Sequence, residues 1–389
     1  MIHCNPPADS AKPARLTTRF TLHTFPHQST LDSMAQNVIF TNQLGSTLDS
    51  IVEGYMAANV FVLVDSNTKA FVLPVLTADS KTVASATVIT CPAGDMNKNL
   101  ESLQRIWQSL SAGGASRQAV LINLGGGVVT DLGGFAAATF KRGIHCINIP
   151  TTLLGAVDAA VGGKTGINFN GYKNQIGAFA PADAVIISTV FFPTLSQQEL
   201  LSGYGEMIKH ALLSGPQQLD DILRYQVLNP PADPDRLLAL IKESVEVKQR
   251  IVEQDPLESG LRRALNLGHT VGHAFESLAL KRMSPIPHGY AVVWGLVVEL
   301  VLSHLRLGFS SELLHRIADY IFANYGAYDI TCDDYPALLD FMQQDKKNTD
   351  ARHINFTLLK APGDFTIDCT ADADEISAAL DIYRDLAHI

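Results

Sequence analysis

The chain has 389 residues, of which 47% are hydrophobic and 17% charged, and its formal charge is −10. That composition excludes a disordered chain and predicts two packed domains rather than one core. The acidic balance argues against nucleic acid or an anionic membrane as partner, although a local cluster of Lys and Arg can still hold an anionic small molecule.

Residues 1–17, rich in Pro, Ala, Ser and Lys, predict a loose tail, and nothing from Met1 to Arg15 has the apolar core of a secretory signal. Val60-Phe61-Val62-Leu63-Val64, closed by Asp65-Ser66-Asn67, predicts a buried parallel strand ending in a polar turn. Ala86–Thr90, Ala119–Leu124 and His145–Ile149 read the same way, the last stopped by Pro150. Asn99–Ser111 has helical spacing. Strands alternating with helices predict a parallel sheet covered on both faces. The character changes near Phe192-Pro193. Helices are predicted beyond it over Gln197–Leu213, Pro234–Val252, Leu261–Ala279, Ala291–Leu307 and Ser311–Tyr325, with a late strand over Ile354–Leu359. The expected division is a tail (1–17), an α/β domain (18–193) and a mostly helical domain (194–389), with a ligand cleft between the two domains. No uncharged apolar run reaches the ~20 residues of a membrane span. Five scattered cysteines without a CxxC pair suit reduced thiols and a cytoplasmic setting.

Gly125-Gly126-Gly127-Val128-Val129-Thr130-Asp131 follows a predicted strand. Glycines there let backbone N–H groups approach a pyrophosphate, but the order is not G-x-G-x-x-G, so a plain turn stays open. Asp65 suits a ribose hydroxyl or, more simply, a turn. Gly162-Gly163-Lys164-Thr165 lacks the P-loop spacing, because Asp158 stands where that motif needs Gly. With Lys173-Asn174 it predicts a substrate-binding loop. Glu206 and Lys209 share a helical face; alone they would read as a surface ion pair, but Gly203 and Gly205 suit close approach by another element. His269 and His273 lie one turn apart, and His288 follows between Pro287 and Gly289. Two imidazoles and a carboxylate are the ligand set of a zinc site with one open position, and spacing alone makes both His269 and His273 ligand candidates. Arg262 and Lys248 bring cations toward the same region, whereas Lys346-Lys347 alone reads as a solvated pair.

Taken in order, these segments resemble the 3-dehydroquinate synthases from about Val60 to Leu359. The strongest blocks are Gly125–Gly143, Pro150–Gly177, Gly203–Lys209, Arg262–Glu276 and His288–Val292. The resemblance implies a Rossmann-like NAD+ domain, an all-helical metal-binding domain after it, and a homodimer. It implies Zn2+ or Co2+ on Glu206, His269 and His288, which makes His273 a proton-handling neighbour instead. It implies NAD+ contacts at Asp65, Asn67, Asp95, Lys98, Gly126, Gly127, Asp131, Thr151 and Thr152. Catalytic roles fall on His273, Asn266, Lys164, Lys209 and Arg262. Substrate contacts fall on Arg142, Asp158, Lys173, Asn174 and Lys248, with a lysine from Lys346-Lys347. The implied reaction turns 3-deoxy-D-arabino-heptulosonate 7-phosphate into 3-dehydroquinate and phosphate. Its stages are transient oxidation, phosphate elimination, re-reduction, ring opening and aldol closure. Two positions depart from the family: Asp95 where Glu is common, and Tyr290 where an acid usually follows His-Gly. The competing readings are a cyclase of the 2-epi-5-epi-valiolone synthase type and a metal-dependent glycerol or alcohol dehydrogenase. Leu265-Asn266 and Lys248 favour the dehydroquinate branch, and a small alcohol needs no such basic cluster.

Overall fold

The computed structural model describes residues 36–55, 59–170, 172–229, 233–344 and 354–389. The tail expected over 1–17, and Lys346 and Lys347, lie outside them.

The first half runs β1 (Asn37–Phe40), α1 (Leu44–Gly54), β2 (Val60–Asp65), three short helices α2 (Ser66–Phe71), α3 (Leu73–Asp79) and α4 (Lys81–Ser85), then β3 (Thr87–Cys91) and α5 (Leu100–Ala112). It continues with β4 (Val120–Gly125), α6 (Gly127–Thr139), β5 (His145–Pro150), a hairpin of β6 (Lys164–Phe169) and β7 (Tyr172–Phe179), and β8 (Ala184–Ile187). Six strands form one parallel sheet in the order β1-β8-β5-β4-β2-β3. All six residues of β4 are buried, because helices cover both faces, and this is why such strands read as unbroken apolar runs. The strand order reverses between β2 and β4, so a crevice opens at their carboxyl ends, beside Asp65 and Gly125. Lys164, Lys173 and Asn174, expected on a loop, stand instead on the antiparallel hairpin β6–β7. Almost every residue of β7 is exposed, so no alternation marked it as a strand.

The second half runs α7 (Gln197–Ser214), α8 (Pro216–Arg224), α9 (Pro234–Gln254), α10 (His269–Lys281), α11 (His288–Leu307), α12 (Ser311–Tyr325), α13 (Tyr335–Gln343), a hairpin of β9 (Ile354–Ala361) and β10 (Asp364–Ala371), and α14 (Ala373–Ala387). Among the described residues the all-helical expectation therefore holds apart from that one hairpin. A capping box starts α7: Ser196 Oγ accepts from the Glu199 N–H, and the Glu199 carboxylate accepts from the Ser196 N–H. The helix expected over Leu261–Ala279 is two pieces, a 3-10 turn Leu261–Asn266 and α10, broken at Gly268, whose φ is +79°. Arg262 and His269 thus belong to different elements. α11 is long and apolar enough to cross a membrane, but 72% of that stretch is buried, as befits a core helix. One hydrophobic cluster runs from one face of the sheet through these helices, and a second lies on the sheet's other face.

Candidate active site

Glu206 lies in the middle of α7 and is fully buried. His269 and His288 are the first residues of α10 and α11. Close helix crossings bring the three together. A Cβ on Gly289 would stand 1.8 Å from the Ser202 carbonyl oxygen, so only glycine lets α11 start against α7. The close approach expected at Gly205 is real, and its neighbour is Gly289.

Glu206 Oε1 is 3.4 Å from His269 Nε2 and 3.4 Å from His288 Nε2. His269 Nδ1 donates to the Leu267 carbonyl at 3.1 Å, which fixes the tautomer and leaves Nε2 with a bare lone pair. That lone pair faces a carboxylate oxygen. Neither oxygen of Glu206 accepts a well-formed hydrogen bond, although Lys209 Nζ ion-pairs with Oε2. Two lone-pair atoms turned toward each other in a buried site need a cation between them. Ligands about 2.0–2.1 Å from one tetrahedral ion lie about 3.3–3.4 Å apart, which is the spacing here. The residues therefore fit a divalent metal, and their ligand atoms all lie within 4.8 Å of one another.

His273 is not in that group. Its ring centre is 5.4 Å from that of His269 and 6.0 Å from that of His288, beside the cluster. Helical spacing alone made it a ligand candidate, but it is His288, from another helix, that stands with Glu206 and His269. Glu276, which the sequence reading missed, holds His288 Nδ1 at 3.4 Å and Lys173 at 3.3 Å. Its signal was its position one turn beyond His273 on the same face.

Charges alternate around the cluster. Lys209 is buried with Glu206, Lys248 Nζ meets Asp158 Oδ1 at 2.6 Å, and Lys98 Nζ meets Asp131 Oδ2 at 2.8 Å. Burial favours the neutral form of Asp158, but Lys248 and Lys209 together outweigh it and hold the carboxyl well below its ordinary value. Burial pushes Asp131 up despite Lys98, and it pushes Lys248 down. Lys164 pairs with Glu258, a second carboxylate the sequence reading missed. Glu258 sits in a loop that Asp255 braces by accepting from the N–H groups of Ser259, Gly260 and Arg262. Asn266 is partly buried at the end of the 3-10 turn that leads to His269. Asn174 is exposed, and its N–H donates to Asn168 Oδ1 at 2.9 Å.

Two expected residues stand differently. Arg262 is buried with its terminal nitrogens donating to the carbonyls of Pro256 (2.7 Å) and Gly162 (3.0 Å), so it ties two loops together and leaves its buried Nε–H without a hydrogen-bond partner. Arg142 is exposed three residues before β5, where it lines a surface cavity with Arg117, Gln118, His145 and Asp183. Thr151 and Thr152 follow the other end of that strand, about 20 Å away for six extended residues. Within one chain Arg142 therefore does not join the cluster.

At the carboxyl edge of the sheet, Gly126 is the amino cap of α6 and brings no side-chain cap, which suits N–H groups awaiting an anion. A Cβ on Gly126 would lie 3.0 Å from Thr152 Cγ2, which places Thr151 and Thr152 beside this turn. Asp65 caps α2, with Oδ1 accepting from the N–H groups of Asn67 (2.9 Å) and Thr68 (2.8 Å). The turn-forming reading of Asp65 is thus met, and Oδ2 faces no cap. Asp95 Oδ2 accepts from Asn168 at 3.1 Å.

Two family models match the chain: 3-dehydroquinate synthase N-terminal over residues 88–202, and 3-dehydroquinate synthase C-terminal over residues 203–348. A 3-dehydroquinate synthase of Parabacteroides distasonis is 48% identical over 350 residues, which are 90% of this chain and 98% of that protein. Among solved structures, 2-deoxy-scyllo-inosose synthase complexed with carbaglucose-6-phosphate, NAD+ and Co2+ is similar with a TM-score of 0.79 at 20% identity, covering 90% of this chain and 96% of that one. A 2-epi-5-epi-valiolone synthase from Streptomyces hygroscopicus, with NAD+ and Zn2+ bound, gives 0.78 at 23% identity, covering 94% and 99%. These two are likenesses of fold.

Proposed function

The chain belongs to the 3-dehydroquinate synthase family, and we propose that it converts 3-deoxy-D-arabino-heptulosonate 7-phosphate to 3-dehydroquinate and phosphate. The convergence of Glu206, His269 and His288 on one point carries this reading. A divalent cation held there, Zn2+ or Co2+, supplies Lewis-acid polarisation of substrate hydroxyls, and NAD+ on the α6 turn supplies reversible hydride acceptance.

The chain's own residues do the rest. The amino end of α6 and the Gly126 turn take the pyrophosphate, with Asp65, Asn67, Asp95, Lys98, Asp131, Thr151 and Thr152 around the cofactor. Lys98 pairs with Asp131 and works against the burial that pushes its carboxyl up. Lys164 and Lys173 project from the exposed hairpin with carboxylates as resting partners, and an anionic substrate exchanges with those carboxylates. Lys209 and Lys248 are fixed by buried ion pairs and act as positioned charges rather than mobile arms. His273, next to both ligand imidazoles, handles protons, and Asn266 orients the substrate. Arg142 reaches a substrate only from a second copy, so the working form is a homodimer with shared sites. The 18–193 and 194–389 division gains support from the two family models, which meet at residues 202 and 203. We place the enzyme in the cytoplasm, a setting suited to the free thiols of Cys91, Cys146, Cys332 and Cys369.

The test is steady-state phosphate release from the sugar acid phosphate with NAD+ in catalytic amount. The reading requires release without net NADH; accumulating NADH with no phosphate marks a dehydrogenase.

A further inference from the structure

Glu299 is fully buried on α11, the one charge in the apolar run Leu296–Leu302. Its Oε2 accepts the Gly268 N–H at 2.6 Å and its Oε1 accepts the Val271 N–H at 3.4 Å. Those are the N–H groups at the start of α10. The amino-cap position there is a left-handed glycine, so α10 has no local side-chain cap. A carboxylate from 31 residues away stands in for one. The two helices touch backbone to backbone one turn before it: a Cβ on Gly295 would lie 2.1 Å from the Gly268 carbonyl oxygen. The Gly268 N–H so held belongs to the same peptide unit as the Leu267 carbonyl, which accepts from His269 Nδ1 and orients that ring.

We propose that Glu299 is a positioning residue for the metal ligand His269, pinning the Gly268 peptide and offsetting the positive amino end of α10 beside a divalent cation. The proposal rests on the metal site above. A helix amino end carries roughly half a positive charge, which repels a cation placed against its first residue. A neutral amide has one acceptor oxygen where Glu299 uses two, and it does not cancel that field. Ser303 Oγ donates to the Glu299 carbonyl and accepts from the Leu359 N–H, so the backbone beneath the carboxylate is itself tied down.

The test uses metal-free full-length chain and Co2+ alone as probe. Affinity is read by chelator competition, geometry by the visible cobalt bands, and stability by melting with and without Co2+. Glu299→Gln is expected to bind Co2+ about tenfold or more weakly, with altered bands and a smaller cobalt-induced rise in Tm. Glu299→Asp, which keeps the charge but retracts from Gly268, is expected to lie between the two, and it carries the test if Glu299→Gln does not fold. Wild-type cobalt affinity and spectrum in the folded variant, whatever its Tm, would overturn the proposal. Failure of the wild-type chain to bind Co2+ would instead overturn the metal-site reading beneath it.

Discussion

Gly205 of α7 and Gly289 of α11 meet at backbone contact: a Cβ on Gly205 would stand 2.6 Å from the Gly289 carbonyl oxygen. Each glycine is next in sequence to a proposed metal ligand, Glu206 or His288, so the same crossing that packs the helices sets the spacing of those side chains. Gly205→Ala is expected to cost about 1–3 kcal/mol and to weaken metal binding as α11 is pushed away. Gly289→Ala, with its closer clash, is expected to do more. Gly54, which faces open space at the end of α1, is the control, and Gly54→Ala should leave both properties unharmed. Thermal melts and metal titration of the three variants decide this.

Two lysines of the same site should behave in opposite ways. Lys209 and Glu206 are both buried, and removing one partner leaves an uncompensated charge. Lys209→Met is expected to destabilise the metal-free chain by about 3–5 kcal/mol, and added Zn2+ should narrow the deficit by replacing the lost cation. Lys164 is half-exposed with Glu258. Lys164→Met should change stability by no more than about 1 kcal/mol while raising KM for the anionic substrate. Denaturant melts and steady-state kinetics separate the two effects.

Metal uptake should release one proton at pH 8. In the metal-free chain burial opposes charge on His288, but Glu206 and Glu276 at its two nitrogens push its pKa up to about 10. Burial, reinforced by Lys209, pushes His269 down to about 4. At pH 8, then, His288 carries a proton that the cation must displace, and His269 is already bare. Affinity should therefore rise with pH by about tenfold per unit between these two values. Calorimetry in buffers of different ionisation heat counts the protons; a count of two or of none contradicts the assignment.

Arg142 supplies a test of shared sites. His269→Ala and Arg142→Ala chains should each be inactive alone. Mixed in equal amounts under conditions that allow subunit exchange, half the dimers carry one intact site, so about a quarter of wild-type activity should return. No recovery, with exchange verified, would remove Arg142 from the partner's site.

The sheet was legible because β2, β4 and β5 are covered on both faces and read as apolar runs. The hairpin β6–β7 was not, because its exposed residues show no alternation and its glycines read as a loop. Gly268 hid the break before α10, since one glycine inside a helical pattern is cheaper to accept than to split the helix. Glu206, His269 and His288 were named from the family motifs, whereas spacing alone favoured His273 over His288. Glu276 offered only its place one turn beyond His273, and Glu299 had no local pattern. Their work depends on which helices touch: Glu276 meets His288 from 12 residues away, and Glu299 meets Gly268 from 31 residues away.

The most direct measurement counts metal per chain and phosphate released in the same samples of wild type and His269→Ala. The account predicts one bound ion and turnover for the wild type. For the variant it predicts loss of both with the far-UV circular dichroism unchanged. Wild-type phosphate release by a folded His269→Ala chain would contradict it.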